Sequence, residues 1–331
     1  MGKDSGFPHH FAARYPLRMP SVVRAYAPAK VNLALSVGAP DAGGMHPIAS
    51  WMVTTRFCDE LTLKRLQLGT PSRYAIEWHD DAPRKTDIDW RISKDLAVRA
   101  HRALEERLGR ELPVQLRMQK RIPVGGGLGG GSSDAGAMLR ALDALFDLRL
   151  RSEFLEHLAQ PLGSDVPFLV QGGSAIVEGF GERLSNAADH RTHLVLAFPD
   201  AQCPTGAVYK AFDALRGDAC VDARRVRALA ERGADADSPF NDLADAACRV
   251  SPLLAEVRDG IESLARQSVH VSGSGSTLFL VCDSAVHADV LSDAIGEKLG
   301  VPAISTVTAP PLVEEVDGEP RTVEPMYGDD D

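Results

Sequence analysis

The 331-residue chain has little cysteine, no excess of basic charge and no long apolar run, and each shortage removes a class of protein. Its five cysteines, Cys58, Cys203, Cys220, Cys248 and Cys282, are odd in number and scattered, with no CxxC pair and no Cys/His cluster. That pattern argues against a disulfide framework and a structural zinc site, and it suits a reducing, cytoplasmic compartment. Lys plus Arg number 36 against 46 Asp plus Glu, a net charge of −10, whereas a nucleic-acid binder needs a concentrated basic face to neutralise phosphates. The apolar run Leu278–Cys282 falls far short of the roughly 18 residues that cross a bilayer, so no membrane span is expected. The first twenty residues lack the continuous apolar segment of a secretory signal and read as a mobile extension, residues 1–20.

What remains is an ordinary globular composition, 44% hydrophobic and 25% charged, in a chain long enough for two domains. Glu314 to Asp331 holds eight acidic residues and one Arg, so the body of the chain is close to neutral and the end reads as an acidic, disordered tail over residues 311–331. Val31, Leu33, Leu35 and Val37 alternate with other residues, as do Leu61 with Leu63 and Val114, Leu116 and Met118, which predicts strands with one buried face. Three- and four-residue apolar steps over Ser93–Leu108 and Ser132–Phe146 predict amphipathic helices. A polar stretch, Asn186–His193, precedes a new strand at Leu194–Phe198 and marks the expected boundary between domains 21–190 and 191–310. The second half reads as helices near Gly206–Leu215, Asp222–Arg232, Leu253–Gln267 and Ala285–Leu299, with strands Val269–Ser272 and Thr277–Cys282. Mixed elements without strict βαβ alternation give an α+β class.

The most informative stretch joins a strand to a helix: Pro123, Val124, Gly125, Gly126, Gly127, Leu128, Gly129, Gly130, Gly131, Ser132, Ser133 and Asp134. Six glycines in seven positions carry a conformational cost that a plain linker has no reason to bear, and they let the backbone approach a ligand closely. The loop feeds a helix N-terminus, where unpaired N–H groups and the positive end of the macrodipole suit a phosphate. Gly125, Gly127 and Gly130 satisfy G-x-G-x-x-G, but Pro123 breaks the strand before the turn and no βαβ frame surrounds it, which disfavours a dinucleotide site. No Lys follows the last glycine, which disfavours a P-loop.

The segment Pro123–Ala135 resembles the central phosphate-binding motif of the GHMP kinases, and its expanded glycine run is most similar to the type that acts on 4-diphosphocytidyl-2-C-methyl-D-erythritol. Three further stretches resemble that family's motifs in the same order: Ala27–Leu33, Gly163–Phe168 and Val271–Ser276. The resemblance implies a two-domain α+β fold, with an N-terminal domain of the ribosomal protein S5 domain 2-like type and a C-terminal ferredoxin-like α/β sandwich. It implies a monomer or homodimer that binds ATP with Mg²⁺ and a small-molecule acceptor, with no nucleic-acid or membrane partner. Mevalonate- and homoserine-type kinases, and a binding protein without activity, are the alternatives. The presence of both Lys30 and Asp165 weighs against the last.

Residue by residue, the resemblance implies Asp165 as the base for the attacking hydroxyl and Lys30 as its ionic partner. It puts Pro123–Ser133 on ATP, with Ser133 toward the metal, and it assigns Asn32, Met45, His46, Thr205, Gly273 and Ser274 to the acceptor. The diphosphocytidyl type carries Ala-Asp-Gly-Tyr-His where this chain has Ala42-Gly43-Gly44-Met45-His46. His46 matches, but Met45 takes the place of the aromatic ring that stacks on cytosine. Trp51 and Phe57 are the aromatic candidates to replace it.

Overall fold

The structure is a computed structural model that describes residues 20–308 and 312–322. The expected N-terminal extension therefore lies outside the described residues except for Pro20. The strands are β1 (Val22–Val37), β2 (Ile48–Arg65), β3 (Arg73–Trp78), β4 (Val114–Lys120), β5 (Ser174–Gly179), β6 (Arg183–Asn186) and β7 (His193–Ala197), continuing with β8 (Phe240–Asn241), β9 (His270–Val271), β10 (Leu278–Cys282), β11 (Ala303–Val307), β12 (Val313–Val316) and β13 (Glu319–Thr322). The helices are α1 (Leu96–Leu108), α2 (Gly130–Leu145), α3 (Ser152–Ala159), α4 (Val166–Gln171), α5 (Thr205–Arg216), α6 (Ala223–Arg232), α7 (Ala244–Val250), α8 (Pro252–Ala265) and α9 (Ala285–Leu299).

One sheet runs β13-β12-β1-β2-β4-β3, with β5 and β6 continuing from β2 and β8 lying parallel to β1. A second, four-stranded sheet runs β11-β7-β10-β9. The change from the first sheet to the second falls at the polar stretch that the sequence marks, between β6 and β7. The halves interlock rather than separate, because Phe240 pairs with Ala34 of β1, and Val226 and Leu229 of α6 join the cluster of Val31, Leu33 and Trp51.

The alternating strands bury one face under α1 and α2, where Leu61, Leu63, Leu116 and Met118 meet Leu104, Leu139 and Leu142. Helix α1 starts at Asp95, whose carboxylate accepts from the N–H groups of Ala97 and Val98, and stops at Gly109 in the left-handed region, φ 63°. Helix α2 is buried on nearly every side because it lies between the sheet, α1 and α4. The approach to α4 is close enough that a Cβ on Gly136 would sit 2.6 Å from the carbonyl oxygen of Leu169. Glycine at 136 therefore sets how near the helix behind the glycine loop lies to the helix headed by Asp165.

The acidic end departs from expectation. Of the expected disordered tail, residues 311 and 323–331 lie outside the described residues, whereas β12 and β13 form a hairpin that extends the first sheet, with Val316 opposite Val23 and Glu315 opposite Arg24. Three of its four acids have partners from distant parts of the chain. Glu314 meets Arg140, Glu315 meets Arg24 and the Tyr26 hydroxyl, and Asp317 accepts from the N–H groups of Ser21 and Val22. Local composition suggests disorder because the partners lie up to 296 positions away.

Alanine at an ordinary helical glycine stabilises by roughly 0.5–1 kcal/mol. Gly136→Ala is expected to do the reverse, lowering stability by about 1–3 kcal/mol through the clash with Leu169. Denaturant unfolding of the variant checks the sign.

Candidate active site

Residues from both halves enclose a cavity of about 500 Å³. Its wall includes Lys30 and Asn32 from β1, Pro123–Ser132 from the glycine loop, Asp165 at the head of α4, Thr205 and Tyr209 from α5, and Gly273 and Ser274 from the loop before β10. The structure thus brings together the residues from all four motifs.

Lys30 points inward from a strand position that is 5% exposed. Its Nζ donates to Asn32 Oδ1 at 2.5 Å and lies 3.6 Å from Asp165 Oδ2. Asn32 Nδ2 donates to Ser50 Oγ at 2.8 Å, and Ser50 Oγ donates to the Ala34 carbonyl at 2.7 Å, so a chain of bonds fixes the amine. Asn32 therefore orients Lys30 rather than Asp165. Asp165 stands at the N-cap of α4 without capping the helix, which leaves its carboxylate facing Lys30 and the cavity.

The glycine loop is held by its carbonyls. Lys30 N–H donates to Leu128 O at 2.9 Å, Thr277 N–H to Gly126 O at 3.1 Å and Ser272 Oγ to Gly127 O at 3.2 Å. Among the described residues, no hydrogen bond is made by the N–H groups of Gly127 to Gly131. The amides are thus free at the mouth of α2, the arrangement a phosphate requires. Gly127 and Gly129 adopt φ of 77° and 68°, and a Cβ on Gly127 would fall 2.2 Å from the Ser272 carbonyl oxygen, so the two glycine loops meet backbone to backbone.

Beneath the loop lies an ion triad that the motifs do not announce. Lys120 Nζ is 2.6 Å from Asp59 Oδ2 and 2.5 Å from Asp134 Oδ2, all three side chains being buried. Asp59 Oδ1 also accepts from the N–H groups of Arg121 and Ile122. Burial would lower the Lys120 ammonium, but Asp134 and Asp59 hold it above its usual range. Burial pushes the Asp134 carboxyl up, with Asp59 adding to the effect against the pull of Lys120. The strand pattern holds the signal for this triad. Lys120 continues the inward series Val114, Leu116, Met118, and Asp59 continues Leu61 and Leu63.

Not every expected residue reaches the wall. Ser132 lines the cavity, whereas Ser133 is fully buried in α2, its hydroxyl without a hydrogen-bond partner. Met45 sits on an exposed turn, 57% accessible, and neither it nor His46 is among the lining residues. His46 Nδ1 meets the Gly38 carbonyl at 2.9 Å, and its ring packs on Tyr209 at 4.8 Å between centroids. Trp51 is wholly buried, its indole N–H donating to Ser174, and Phe57 packs on Phe198 away from the cavity. Neither can stack on a base there. The aromatic rings on the wall are Tyr209 and Trp90. Burial, and secondarily Asp165, push the Tyr209 phenol up to about 12, so it stays neutral. Trp90 joins Lys94, Asp95 and Leu96 at the start of α1, with its indole N–H 3.2 Å from Asp95. Tyr209 was legible one turn beyond Thr205 in a predicted helix; Trp90 had no periodic signal.

A family model described as the GHMP kinases N terminal domain matches residues 95–173, from the start of α1 through α4. The chain is 39% identical to the 4-diphosphocytidyl-2-C-methyl-D-erythritol kinase of Caulobacter vibrioides over 82% of this chain and 93% of the relative. It is 36% identical to the kinase of the same name from Mycobacterium tuberculosis over 79% and 82%. Among solved structures, a 4-(cytidine 5'-diphospho)-2C-methyl-D-erythritol kinase superposes with a TM-score of 0.70 at 31% identity, covering 87% of this chain and all of that one. Homoserine kinase from Cytophaga hutchinsonii shares the fold, with a TM-score of 0.64 at 17% identity over 93% and 99%. With these likenesses and the four motifs gathered on one cavity, the chain belongs to the 4-diphosphocytidyl-2-C-methyl-D-erythritol kinase family of the GHMP kinases.

Proposed function

We propose that this protein transfers the γ-phosphoryl group of ATP to the 2-hydroxyl of 4-diphosphocytidyl-2-C-methyl-D-erythritol, a step of non-mevalonate isoprenoid biosynthesis. The observation that carries the reading is the pairing of Asp165 with Lys30 on the same cavity as the free glycine-loop amides. Phosphoryl transfer asks a protein mainly for positioning and charge neutralisation, and these groups supply both. Asp165 accepts the proton as the acceptor oxygen bonds to the γ-phosphorus and the bond to the β-phosphate oxygen breaks. Lys30, held by Asn32, orients Asp165 and offsets the charge that develops on the transferred group. The amides of Gly127 to Gly131 and the dipole of α2 hold the phosphates.

Mg²⁺ fits this site as an ion that comes with the nucleotide and keeps several waters. Among the described residues, no three His, Cys, Asp or Glu side chains converge as a metal cluster. The Ser132 hydroxyl lies on the wall, and Asp134 borders it with one carboxylate oxygen lacking a partner, so these two, rather than Ser133, would hold the ion. Its chemistry would be to neutralise the β- and γ-phosphates. Thr205 and Ser274, 3.1 Å apart, close the acceptor end. Tyr209 takes the platform role that Met45 lacks, its ring braced from behind by His46. The free thiols support a reducing, cytoplasmic setting.

Single-turnover assays of Asp165→Asn and Lys30→Met are expected to show losses of about 10²-fold or more in phosphoryl transfer, the size associated with a positioned base. Wild-type rates in both would remove the mechanism. Tyr209→Leu is expected to raise KM for the cytidine substrate by roughly ten- to hundredfold, the equivalent of one lost stacking contact, while Met45→Ala changes it little. Steady-state kinetics with the cytidine substrate, its uridine analogue, mevalonate and homoserine test the acceptor; turnover confined to mevalonate or homoserine would overturn it.

A further inference from the structure

The C-terminal hairpin reaches into the centre of the molecule through one ion pair. Arg140 of α2 and Glu314 of β12 each keep only 3% of their side chain exposed, with Nε of the arginine 3.0 Å from Oε1 of the glutamate. The other guanidinium nitrogens end on backbone. Nη1 donates to the carbonyl of Leu169 at 2.7 Å and to that of Val170 at 3.3 Å, and Nη2 donates to the carbonyl of Tyr26 at 2.8 Å.

The three elements joined in this way each carry one part of the site. Arg140 belongs to the helix that opens from the glycine loop, Leu169 lies one turn after Asp165 in α4, and Tyr26 lies four residues before Lys30 in β1. Carbonyls in the last turn of a helix lack intrahelical partners, and a guanidinium there is doubly favoured, by hydrogen bonding and by the helix dipole. The same guanidinium is costly if its charge is left alone away from water. Burial already pulls the Arg140 guanidinium below its ordinary value, and Glu314 opposes that pull. The hairpin also seals the spot, since a Cβ on Gly172 would lie 2.8 Å from Leu312 Cγ.

We propose that Glu314 is a positioning residue for phosphoryl transfer, holding Arg140 in place so that the glycine-loop helix, the Asp165 helix and the Lys30 strand keep one geometry. Without its carboxylate the guanidinium has reason to withdraw toward water and release the three carbonyls, which frees α4 to shift relative to α2. Displacements on the order of 1 Å between reacting groups cost about 10²-fold in rate. The inference rests on the phosphotransfer reading, and the wild-type assay separates the two: no turnover of the cytidine substrate by the wild type defeats that reading alone.

The test compares full-length Glu314→Gln, Glu314→Asp and the double variant Arg140→Met/Glu314→Leu, the last burying no unpaired charge. Melting temperature, kcat and KM for both substrates are measured, together with hydrogen exchange of the α2 and α4 amides. Glu314→Gln is expected to lose about ten- to hundredfold in kcat with KM values within threefold, and Glu314→Asp to recover most of it. The double variant is expected to melt near the wild type yet remain as slow as Glu314→Gln, with about tenfold faster exchange at the bonded amides of Val166 and Leu169. A folded Glu314→Gln with wild-type kcat would overturn the proposal. Where that variant does not fold, wild-type kcat in the double variant overturns it, and wild-type exchange there does so even without a substrate.

Discussion

A glycine loop whose N–H groups are left unpaired, as one open to a phosphate must be, constrains the rest of this fold. The stretch from Gly127 to Gly131 has no N–H partner among the described residues, so it has to be fixed by other means. Its carbonyls perform that task, taking donors from β1, from Ser272 and from Thr277. Both halves of the chain therefore grip the loop, and the loop in turn locks the halves together. The glycines serve this grip, because the Ser272 carbonyl occupies the space a side chain on residue 127 would need.

The same constraint explains the buried charges. The first turn of α2 is left open, with no side-chain cap at Gly129. It is anchored from within instead, by Asp134 on Lys120 and by Arg140 on Glu314. Such pairs add little net stability compared with apolar packing, but each is strongly disfavoured when half of it is removed. They tie α2 to β4 at Lys120 and to β12 at Glu314.

Much of this arrangement is legible in the residues. The four motifs identify the wall of the site, and the period of the helices and strands places the glycine loop between a half-buried strand and a buried helix. The inward parity of Lys120 and Asp59 is also visible, although parity alone does not pair them. Arg140 is harder to read, since it interrupts an apolar helix and its partner is 174 residues away. The hairpin is hard to read for the same reason: composition treats Glu314, Glu315 and Asp317 as solvated, whereas each has a distant donor. The stacking ring was sought near Met45 because loop neighbours are close in sequence. In space, the loop after β1 lies against α5, whose Tyr209 lines the cavity together with Trp90.

The span between Arg140 and Glu314 also bears on how the molecule is made. Synthesis proceeds from the N-terminus, and domains commonly fold in that order as they emerge. Here the first sheet can assemble early, with α1 and α2 packed on it, but the arginine at its heart waits for a carboxylate that leaves the ribosome 174 residues later. Until then β1 has an open edge where β12 will lie, and the helix after the glycine loop holds an uncompensated cation. The first half is thus a template rather than a finished domain, and the nascent chain gains its working form only when its two distant segments close on each other.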